Sequence, residues 1–272
     1  MILPKLKEGT EKAIEKFLAE KQRKVGAKGY VLGVSGGIDS AVVLRLCARA
    51  VGKGKILALL MPEENSPEED LEDSKEMCRR EGVKYKVVDI TGPINAFKKA
   101  VGGKVDRKSL ANIKARCRMI ILYHFANTDR RLVAGTSNKS EMLMGYFTKF
   151  GDGGADLEPI GDLYKTEVRE LAGKLGIPKR IIKKAPSAGL WKGQTDEGEM
   201  GITYNRLDAI LMGIELGLSE DDVAERAETS VKEVRRIAEA IRLTSHKRKS
   251  PPAAKIGLRT PGLDWREGDE DV

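Results

Sequence analysis

The sequence predicts an α/β fold: a doubly wound parallel sheet followed by a helical C-terminal part. Short apolar runs of strand length alternate with amphipathic helical segments through the first half of the chain. Polar, glycine-containing loops follow two of these runs, at the strand ends where such sheets bind ligands. The 272 residues, 40% of them hydrophobic, suffice for one domain over residues 1–272.

The order of elements follows from hydrophobic periodicity. A first helix is predicted over 6–24, because Ala13, Ile14, Phe17 and Leu18 recur on one face. Apolar runs predict strands at 30–35, 56–61, 85–90 and 131–134. Helical spacing predicts helices at 41–51, 66–81 and 108–126. After Tyr164 the pattern is mainly helical, with predicted helices at 165–175, 204–216, 220–226 and 232–244.

The loop after the first strand, from Ser35 to Ser40, predicts a phosphate cradle. Gly36 and Gly37 allow a tight turn and close approach of a ligand to the main chain. The following helix directs its free N–H groups and the positive end of its dipole at this loop. Asp39 adds a carboxylate where Mg²⁺ would lie beside the anion. The Walker lysine and the G-x-G-x-x-G fingerprint are both absent. The alternative is an ordinary strand–turn–helix corner.

A second polar segment, Gly135 to Glu141, follows the fourth predicted strand. Glu141 is a second carboxylate that could reach a metal near Asp39. The same residues also fit a helix start, with Ser137 or Asn138 as the N-cap and Glu141 completing a capping box. Local sequence does not decide between these two interpretations.

Together, S-G-G-I-D-S at 35–40 and G-T-S-N-K-S-E at 135–141 resemble the N-type ATP pyrophosphatases, and within them the NAD synthetase family. Enzymes of this type split ATP to AMP and pyrophosphate while activating a carbonyl or carboxyl oxygen. Further matches are N-x-x-A-R-x-R at 112–118, T-K-x-G-D-x-x-x-D at 148–156 and Q-T-D-E at 194–197. The resemblance runs from Tyr30 to about Pro252.

The resemblance implies the site residues. The ATP-binding residues would be Gly33, Val34, Ser35, Gly36, Gly37, Ile38, Asp39, Ser40, Thr136, Lys165 and Ser187. The contacts to deamido-NAD would be Arg116, Lys149, Asp156, His246 and Lys247. The catalytic residues would be Asp39, Lys165 and Glu141, with Asp39 and Glu141 holding Mg²⁺.

Lys165 also stands out on local grounds. Asp162 is a candidate N-cap, which puts Lys165 in the first turn of a helix. A cation there opposes the helix dipole unless an anion shares the site. A solvated lysine at this position is the alternative to a phosphate ligand.

The implied reaction is amidation of deamido-NAD with ammonia, driven by ATP, through an NAD-adenylate to NAD, AMP and pyrophosphate. The resemblance also implies a homodimer with sites at the subunit interface. Related alternatives are a GMP-synthetase-like amidating enzyme, which would use XMP, and a tRNA thiolation enzyme. The latter usually needs catalytic cysteines, and the three cysteines here are poorly placed for that task.

The net charge of +8 allows a nucleic-acid partner as a third interpretation. Residues 218–236 resemble a helix-turn-helix, but the usual turn glycine is missing and Glu228 and Glu233 would face phosphates. Aromatic residues make up only 5% of the chain, which offers little for base stacking. We therefore expect no nucleic-acid partner.

The cysteine content and the hydropathy of the chain indicate its cellular compartment. The chain has three cysteines and no C-x-x-C pair, which fits a reducing cytoplasm. No stretch has the length of a membrane span, so we expect a cytoplasmic protein without a membrane partner. We expect the acidic tail, about 264–272, to be solvated or disordered.

The expected nitrogen donor is free ammonia. No glutaminase module is visible, because that chemistry needs a nucleophilic cysteine with suitable partners. His124 is expected in the core, on the apolar side of its helix.

Overall fold

The computed structural model describes residues 1–187, 189, 191 and 193–261. The strands are β1 (Tyr30–Gly33), β2 (Ile56–Leu60), β3 (Lys84–Val87) and β4 (Leu132–Val133). The helices up to β4 are α1 (Thr10–Lys24), α2 (Ile38–Val51), α3 (Glu68–Glu81), α4 (Thr91–Val101) and α5 (Arg107–Asp129). The later helices are α6 (Lys139–Met144), α7 (Lys165–Lys174), α8 (Lys179–Lys183), α9 (Asp196–Met200), α10 (Tyr204–Glu215), α11 (Glu220–Arg226) and α12 (Val231–Leu243).

The described strands form a parallel sheet in the order β3-β2-β1-β4. Tyr30 of β1 pairs with Ile56 of β2 on one side and with Leu132 of β4 on the other. The chain therefore moves outward from β1 to β3 and then returns to the opposite side of β1. The topological switch point lies between β1 and β4, where such sheets bind ligands beyond the strand ends.

Helices cover both faces of the sheet, because successive side chains of a strand point to opposite sides. Tyr30 and Leu32 pack in one core with residues of α2, α3 and α7. Val31 packs in another with residues of α4 and α5. The doubly wound parallel sheet is confirmed.

The C-terminal part is helical, as predicted, and has its own apolar core. Tyr204, Leu207 and Ile210 of α10 pack with Val223 of α11 and Ile237 of α12. The apolar faces of α11 and α12 are thus turned toward α10.

Most predicted elements are present with shifted ends. The helix start that was one interpretation of the segment Gly135 to Glu141 is present as α6, whereas α4, α8 and α9 were not predicted. The prediction that Asp162 caps α7 is wrong. That helix begins after Tyr164, whose backbone N–H donates to Glu167 Oε2 at 2.9 Å. Asp162 instead pairs with Lys139 at 3.1 Å.

The prediction that His124 is a core residue is also wrong, because its side chain is exposed. Ala126 lies on the buried face of α5. Position 124 is about 200° around the helix from it, on the opposite face.

Within the described ranges, none of the helices combines the length and the apolar character needed to cross a bilayer. The acidic tail at 264–272 lies outside the described residues.

Candidate active site

The loop from Ser35 to Ser40 leaves the carboxyl end of β1 and is tied by its own side chains. The Ser35 N–H donates to Ser40 Oγ at 3.2 Å, and that hydroxyl donates to the Gly37 carbonyl at 3.1 Å. Val34 anchors the start of the loop, since its N–H donates to the Leu59 carbonyl at 3.0 Å. Helix α2 begins after Gly37, with no side chain capping its first turn. Its leading N–H groups can therefore bind an anion.

Gly36 is required by both backbone and packing. Its φ is +78°, in the left-handed region that favours glycine. A Cβ at this position would lie 2.5 Å from the Asp70 carbonyl oxygen at the start of α3. The loop is therefore fixed against α3, and any larger residue would displace it.

The loop after β4 contributes a second carboxylate through a capped helix. The Asn138 side chain accepts from the Glu141 N–H at 3.0 Å, while Glu141 Oε2 accepts from the Asn138 N–H at 3.3 Å. Asn138 also donates from Nδ2 to Asp39 Oδ1 at 3.1 Å. The helix start is confirmed, with Asn138 as the N-cap and Glu141 Oε2 completing the capping box, while Glu141 Oε1 lies 3.3 Å from Lys165 Nζ.

Lys165 joins the two carboxylates. Its Nζ lies 2.5 Å from Asp39 Oδ2 and 3.3 Å from Glu141 Oε1, and the residue is 1% exposed. Burial alone would lower the pKa of Lys165, but the two carboxylates outweigh burial and hold that pKa above its usual range. The cation in the first turn of α7 is therefore compensated by anions, as its unfavourable position requires.

The pKa of Glu141 is raised, whereas an ion pair ordinarily lowers the pKa of a carboxylate. Burial raises its pKa, and the negative charges of Asp39 and Asp196 add to this effect, although Lys165 opposes it. The pKa of Glu141 therefore depends on the other charged groups of the cluster.

Two residues of this cluster carried no predicted role. The Tyr204 hydroxyl lies 3.3 Å from Glu141 Oε1 and 3.1 Å from Asp196 Oδ2. Asp196 is 4% exposed, and its Oδ1 has no hydrogen-bond partner in the described part of the chain. Asp196 lies in the Q-T-D-E segment that resembles the family, whereas no sequence pattern pointed to Tyr204.

Asp208 was missed altogether. It is fully buried on α10, where Oδ1 accepts from the Ser140 hydroxyl at 2.5 Å and Oδ2 accepts from the Thr166 N–H at 2.8 Å. Ser140 in turn accepts from the Lys165 N–H at 3.0 Å. Asp208 therefore fixes α6 and α7 relative to each other, and with them Glu141 and Lys165.

The donor set fits Mg²⁺. Asp39 and Glu141 offer carboxylate oxygens that already converge on one cation, the Lys165 ammonium. Magnesium sites commonly use one or two carboxylates together with substrate phosphates and water. No cluster of three or more protein ligands suited to a metal occurs among the described residues. Phosphate oxygens and water would have to complete the coordination.

Four of the five residues expected to contact deamido-NAD lie together. Arg116 donates from Nη2 to the Lys149 carbonyl at 3.3 Å, and Lys149 Nζ donates to the His246 carbonyl at 2.7 Å. Lys247 donates to the carbonyls of Gly145 and Phe147 at 2.6 and 2.9 Å. The basic run near the C-terminus is thus packed on the segment that follows α6.

The remaining expected site residues are positioned differently. Asp156 stands apart from the basic group, because it accepts from the Val133 N–H at 2.7 Å and from the Tyr123 hydroxyl at 3.0 Å. Thr136 is half-buried in the loop between β4 and α6. Ser187 is exposed, and its Oγ accepts from the Gly189 N–H at 3.1 Å. None of the contacts described for Ser187 joins it to the carboxylate cluster.

A family model and the relatives with similar sequences indicate the same family. A family model described as NAD synthase matches residues 10–251. An NH(3)-dependent NAD(+) synthetase of Archaeoglobus fulgidus is 47% identical over 250 residues, covering 90% of this chain and 97% of that protein. The protein of the same name from Pyrococcus horikoshii is 48% identical over 243 residues, covering 89% and 93%.

Solved structures agree with the fold. The structure of NMN synthetase from Francisella tularensis superposes with a TM-score of 0.82 at 36% identity, covering 92% of this chain and 98% of that one. An NH3-dependent NAD synthetase from Campylobacter jejuni, in complex with nitrate ion, gives a TM-score of 0.78 at 33% identity, covering 91% and 98%.

Proposed function

The chain belongs to the NAD synthase family, and from that premise we propose that it forms NAD by ATP-dependent amidation of deamido-NAD with ammonia. The observation that carries the proposal is the convergence of Asp39, Glu141 and the Lys165 ammonium at the start of an uncapped helix. This arrangement suits a pyrophosphate leaving group with its metal.

In the first step, a carboxylate oxygen of the nicotinate attacks the α-phosphorus of ATP. The bond between the α-phosphorus and the pyrophosphate oxygen breaks, which gives an NAD-adenylate. The free N–H groups at the start of α2, with Gly36, Gly37 and Ser40, would bind the departing pyrophosphate. Lys165 would neutralise its growing charge.

In the second step, the nitrogen of ammonia attacks the activated carbonyl carbon. The bond from that carbon to the AMP oxygen breaks, one proton leaves the nitrogen, and NAD and AMP are formed. Adenylation already supplies a good leaving group, so the protein's main contribution is positioning.

Asp39 and Glu141 would hold Mg²⁺, and Thr136 and Ser187 would complete the ATP site with Gly33, Val34, Ser35 and Ile38. When bound, Mg²⁺ would supply positive charge to the pyrophosphate oxygens. Lys165 contacts the same two carboxylates, so its ammonium would share Asp39 and Glu141 with a bound metal.

The basic group of Arg116, Lys149, His246 and Lys247, with Asp156, would bind deamido-NAD. Its cations suit the pyrophosphate of a dinucleotide. We also propose a homodimer formed through α5, where Ile120 is 63% exposed in the middle of the helix. A cytoplasmic location fits Cys47, Cys78 and Cys117, none of which forms a disulfide.

A second candidate comes from the Francisella tularensis likeness. That protein is an NMN synthetase, so this chain could amidate the mononucleotide instead. The NH(3)-dependent NAD(+) synthetases of Archaeoglobus fulgidus and Pyrococcus horikoshii share higher identity with the chain, which favours the dinucleotide.

A substrate comparison tests the proposal. The purified chain is given ATP, Mg²⁺ and ammonium with deamido-NAD, nicotinic acid mononucleotide or XMP, and AMP formation is measured. We expect the largest kcat/KM with deamido-NAD. A preference for the mononucleotide would select the second candidate, and a preference for XMP would exclude both.

A further inference from the structure

Asp196 is a buried carboxylate that forms no ion pair with any cation of the described residues. The residue is 4% exposed, its Oδ2 accepts from the Tyr204 hydroxyl at 3.1 Å, and no described residue lies within hydrogen-bond distance of its Oδ1. Leaving a buried carboxylate oxygen unsatisfied destabilises a folded protein. Such a group is retained where its charge serves another purpose.

Its surroundings indicate what that purpose is. The Tyr204 hydroxyl lies between Asp196 and Glu141, yet it has one proton and can donate to only one of them at a time. The pKa of Asp196 is raised, chiefly by burial and further by Asp39, while Lys165 and the hydroxyls of Tyr204 and Tyr146 oppose the shift. Asp196 therefore belongs to the same electrostatic cluster as Asp39, Glu141 and Lys165, without touching the lysine.

The charges of this cluster do not balance within the protein. Asp39, Glu141 and Asp196 together carry three formal negative charges, and Lys165 carries one positive charge. The net charge of these four side chains is therefore −2, which one divalent cation would neutralise. Without Asp196 the remainder is a single negative charge, which a proton or a monovalent cation would neutralise.

We propose that Asp196 is a positioning residue that supplies the third carboxylate charge, so that the cluster is neutral only with a divalent metal bound. It acts through the Tyr204 hydroxyl and through the field at Asp39 and Glu141, not as a direct ligand. The inference rests on the proposed Mg²⁺ site and adds to it an energetic cost for the metal-free protein.

The experiment compares Asp196→Asn with Asp196→Glu, which keeps the charge, and with Asp221→Asn, an exposed control. The first measurement is the thermal unfolding temperature in EDTA without nucleotide. The second is binding of Mn²⁺, followed by its electron paramagnetic resonance signal, in the presence of α,β-methylene-ATP.

Asp196→Asn should raise the unfolding temperature in EDTA by about 2–4 °C, because an uncompensated buried charge is removed. The same variant should weaken Mn²⁺ binding roughly tenfold, because one attractive charge is lost. Asp196→Glu should keep the Mn²⁺ affinity within about threefold, and Asp221→Asn should change neither quantity.

A merely structural role for Asp196 would lower the unfolding temperature and leave Mn²⁺ binding unchanged. Absence of either expected change in Asp196→Asn overturns the proposal. Asp39→Asn separates this failure from failure of the metal site itself. If Asp39→Asn abolishes Mn²⁺ binding while Asp196→Asn does not weaken it, only the role of Asp196 is wrong. If Asp39→Asn also binds normally, the metal site fails and the inference fails with it.

Discussion

At the scale of single residues, the site depends on one ammonium held by two carboxylates from different elements. Asp39 lies in the first turn of α2, Glu141 in the first turn of α6, and Lys165 opens α7. Each residue is in the first turn of its helix, so the N-terminal turns of three helices contribute charged groups to the same site. Positive helix ends favour the two carboxylates and any phosphate that joins them.

The two carboxylates are predicted to control the metal requirement. Asp39→Asn and Glu141→Gln keep the side-chain shape and remove one charge each. We expect kcat to fall by roughly 10²–10³ in each variant, because a charged contact to the transition state is lost. The Mg²⁺ concentration for half-maximal rate should rise. Steady-state rates at varied Mg²⁺ measure both effects, and circular dichroism checks the fold. Near-normal turnover at limiting Mg²⁺ in both variants would contradict the assignment.

Glu158 provides a prediction on pH and stability. Burial raises its pKa to about 8, with smaller contributions from Glu141 and Asp152, against the Ser137 N–H that donates to it at 3.0 Å. An unfolded glutamate titrates near 4.3. Between these values the folded state binds more protons, so this group's contribution makes stability fall as pH rises from about 4.3 to about 8.

Glu158→Gln should therefore flatten the dependence of unfolding temperature on pH across that range. The difference between the variant and the parent should be largest at the alkaline end, where the variant is relatively more stable. Calorimetry at several pH values, with the exposed Glu225→Gln as control, makes the comparison. Parallel curves for the parent and Glu158→Gln would show that the carboxyl titrates normally.

At the scale of elements, α6 is a six-residue helix that is held at both ends. Asn138 and Glu141 cap its start. At its end, Arg248 Nη1 donates to the carbonyls of Met142 and Leu143 at 2.9 and 2.8 Å, and Nη2 donates to the Ile241 carbonyl at 2.7 Å. A helix this short has little stability of its own, so these contacts determine where Glu141 lies.

Arg248→Met should lower the free energy of unfolding by about 2 kcal/mol, because buried carbonyls lose charged donors. Arg242→Met is the matched control on α12, since that guanidinium is exposed and pairs only with Glu239 among its described contacts. We expect the control to change stability by less than about 1 kcal/mol. Urea denaturation measures both variants, and equal losses would contradict the role of Arg248.

Strands β1 and β2 were predictable because each is a short, buried apolar run. The apolar run ending at Gly33 and the glycine loop after it are visible in any window of ten residues. Helix α4 was not predicted, because it carries Gly92 and Pro93 at its start. The start of α6 was only one of two interpretations, because that helix spans less than two turns. Short elements depend on tertiary contacts, such as those of Arg248, that a sequence pattern does not contain.

The carboxylate site was predictable only in part. The family resemblance predicts Asp39, Glu141 and Lys165 as site residues, and the structure brings their charged atoms within hydrogen-bond distance. Tyr204 and Asp208 are distant in the chain and occur in an ordinary amphipathic helix. Their contacts follow from packing of α10 on α6 and α7, so local sequence gave no signal for them.

At the scale of the whole molecule, the proposed homodimer can be tested through Ile120. Ile120→Arg introduces a charge into an apolar surface that pairing would bury, and this should weaken the dimer at least tenfold. Sedimentation equilibrium should give a mass near twice the 29.9 kDa of one chain for the parent. Asp221→Asn, an exposed change on α11, should leave the mass unchanged. A monomeric parent at micromolar concentration would exclude this dimer.

We expect the substrate carboxylate to be activated by transfer of AMP, and an oxygen isotope label reveals whether this happens. Deamido-NAD labelled with ¹⁸O in both carboxylate oxygens is converted with ATP, Mg²⁺ and ammonium, and the products are analysed by mass spectrometry. We expect one ¹⁸O atom in each AMP, one in the NAD amide and none in the pyrophosphate. Unlabelled AMP, or ADP and labelled phosphate in its place, would contradict it.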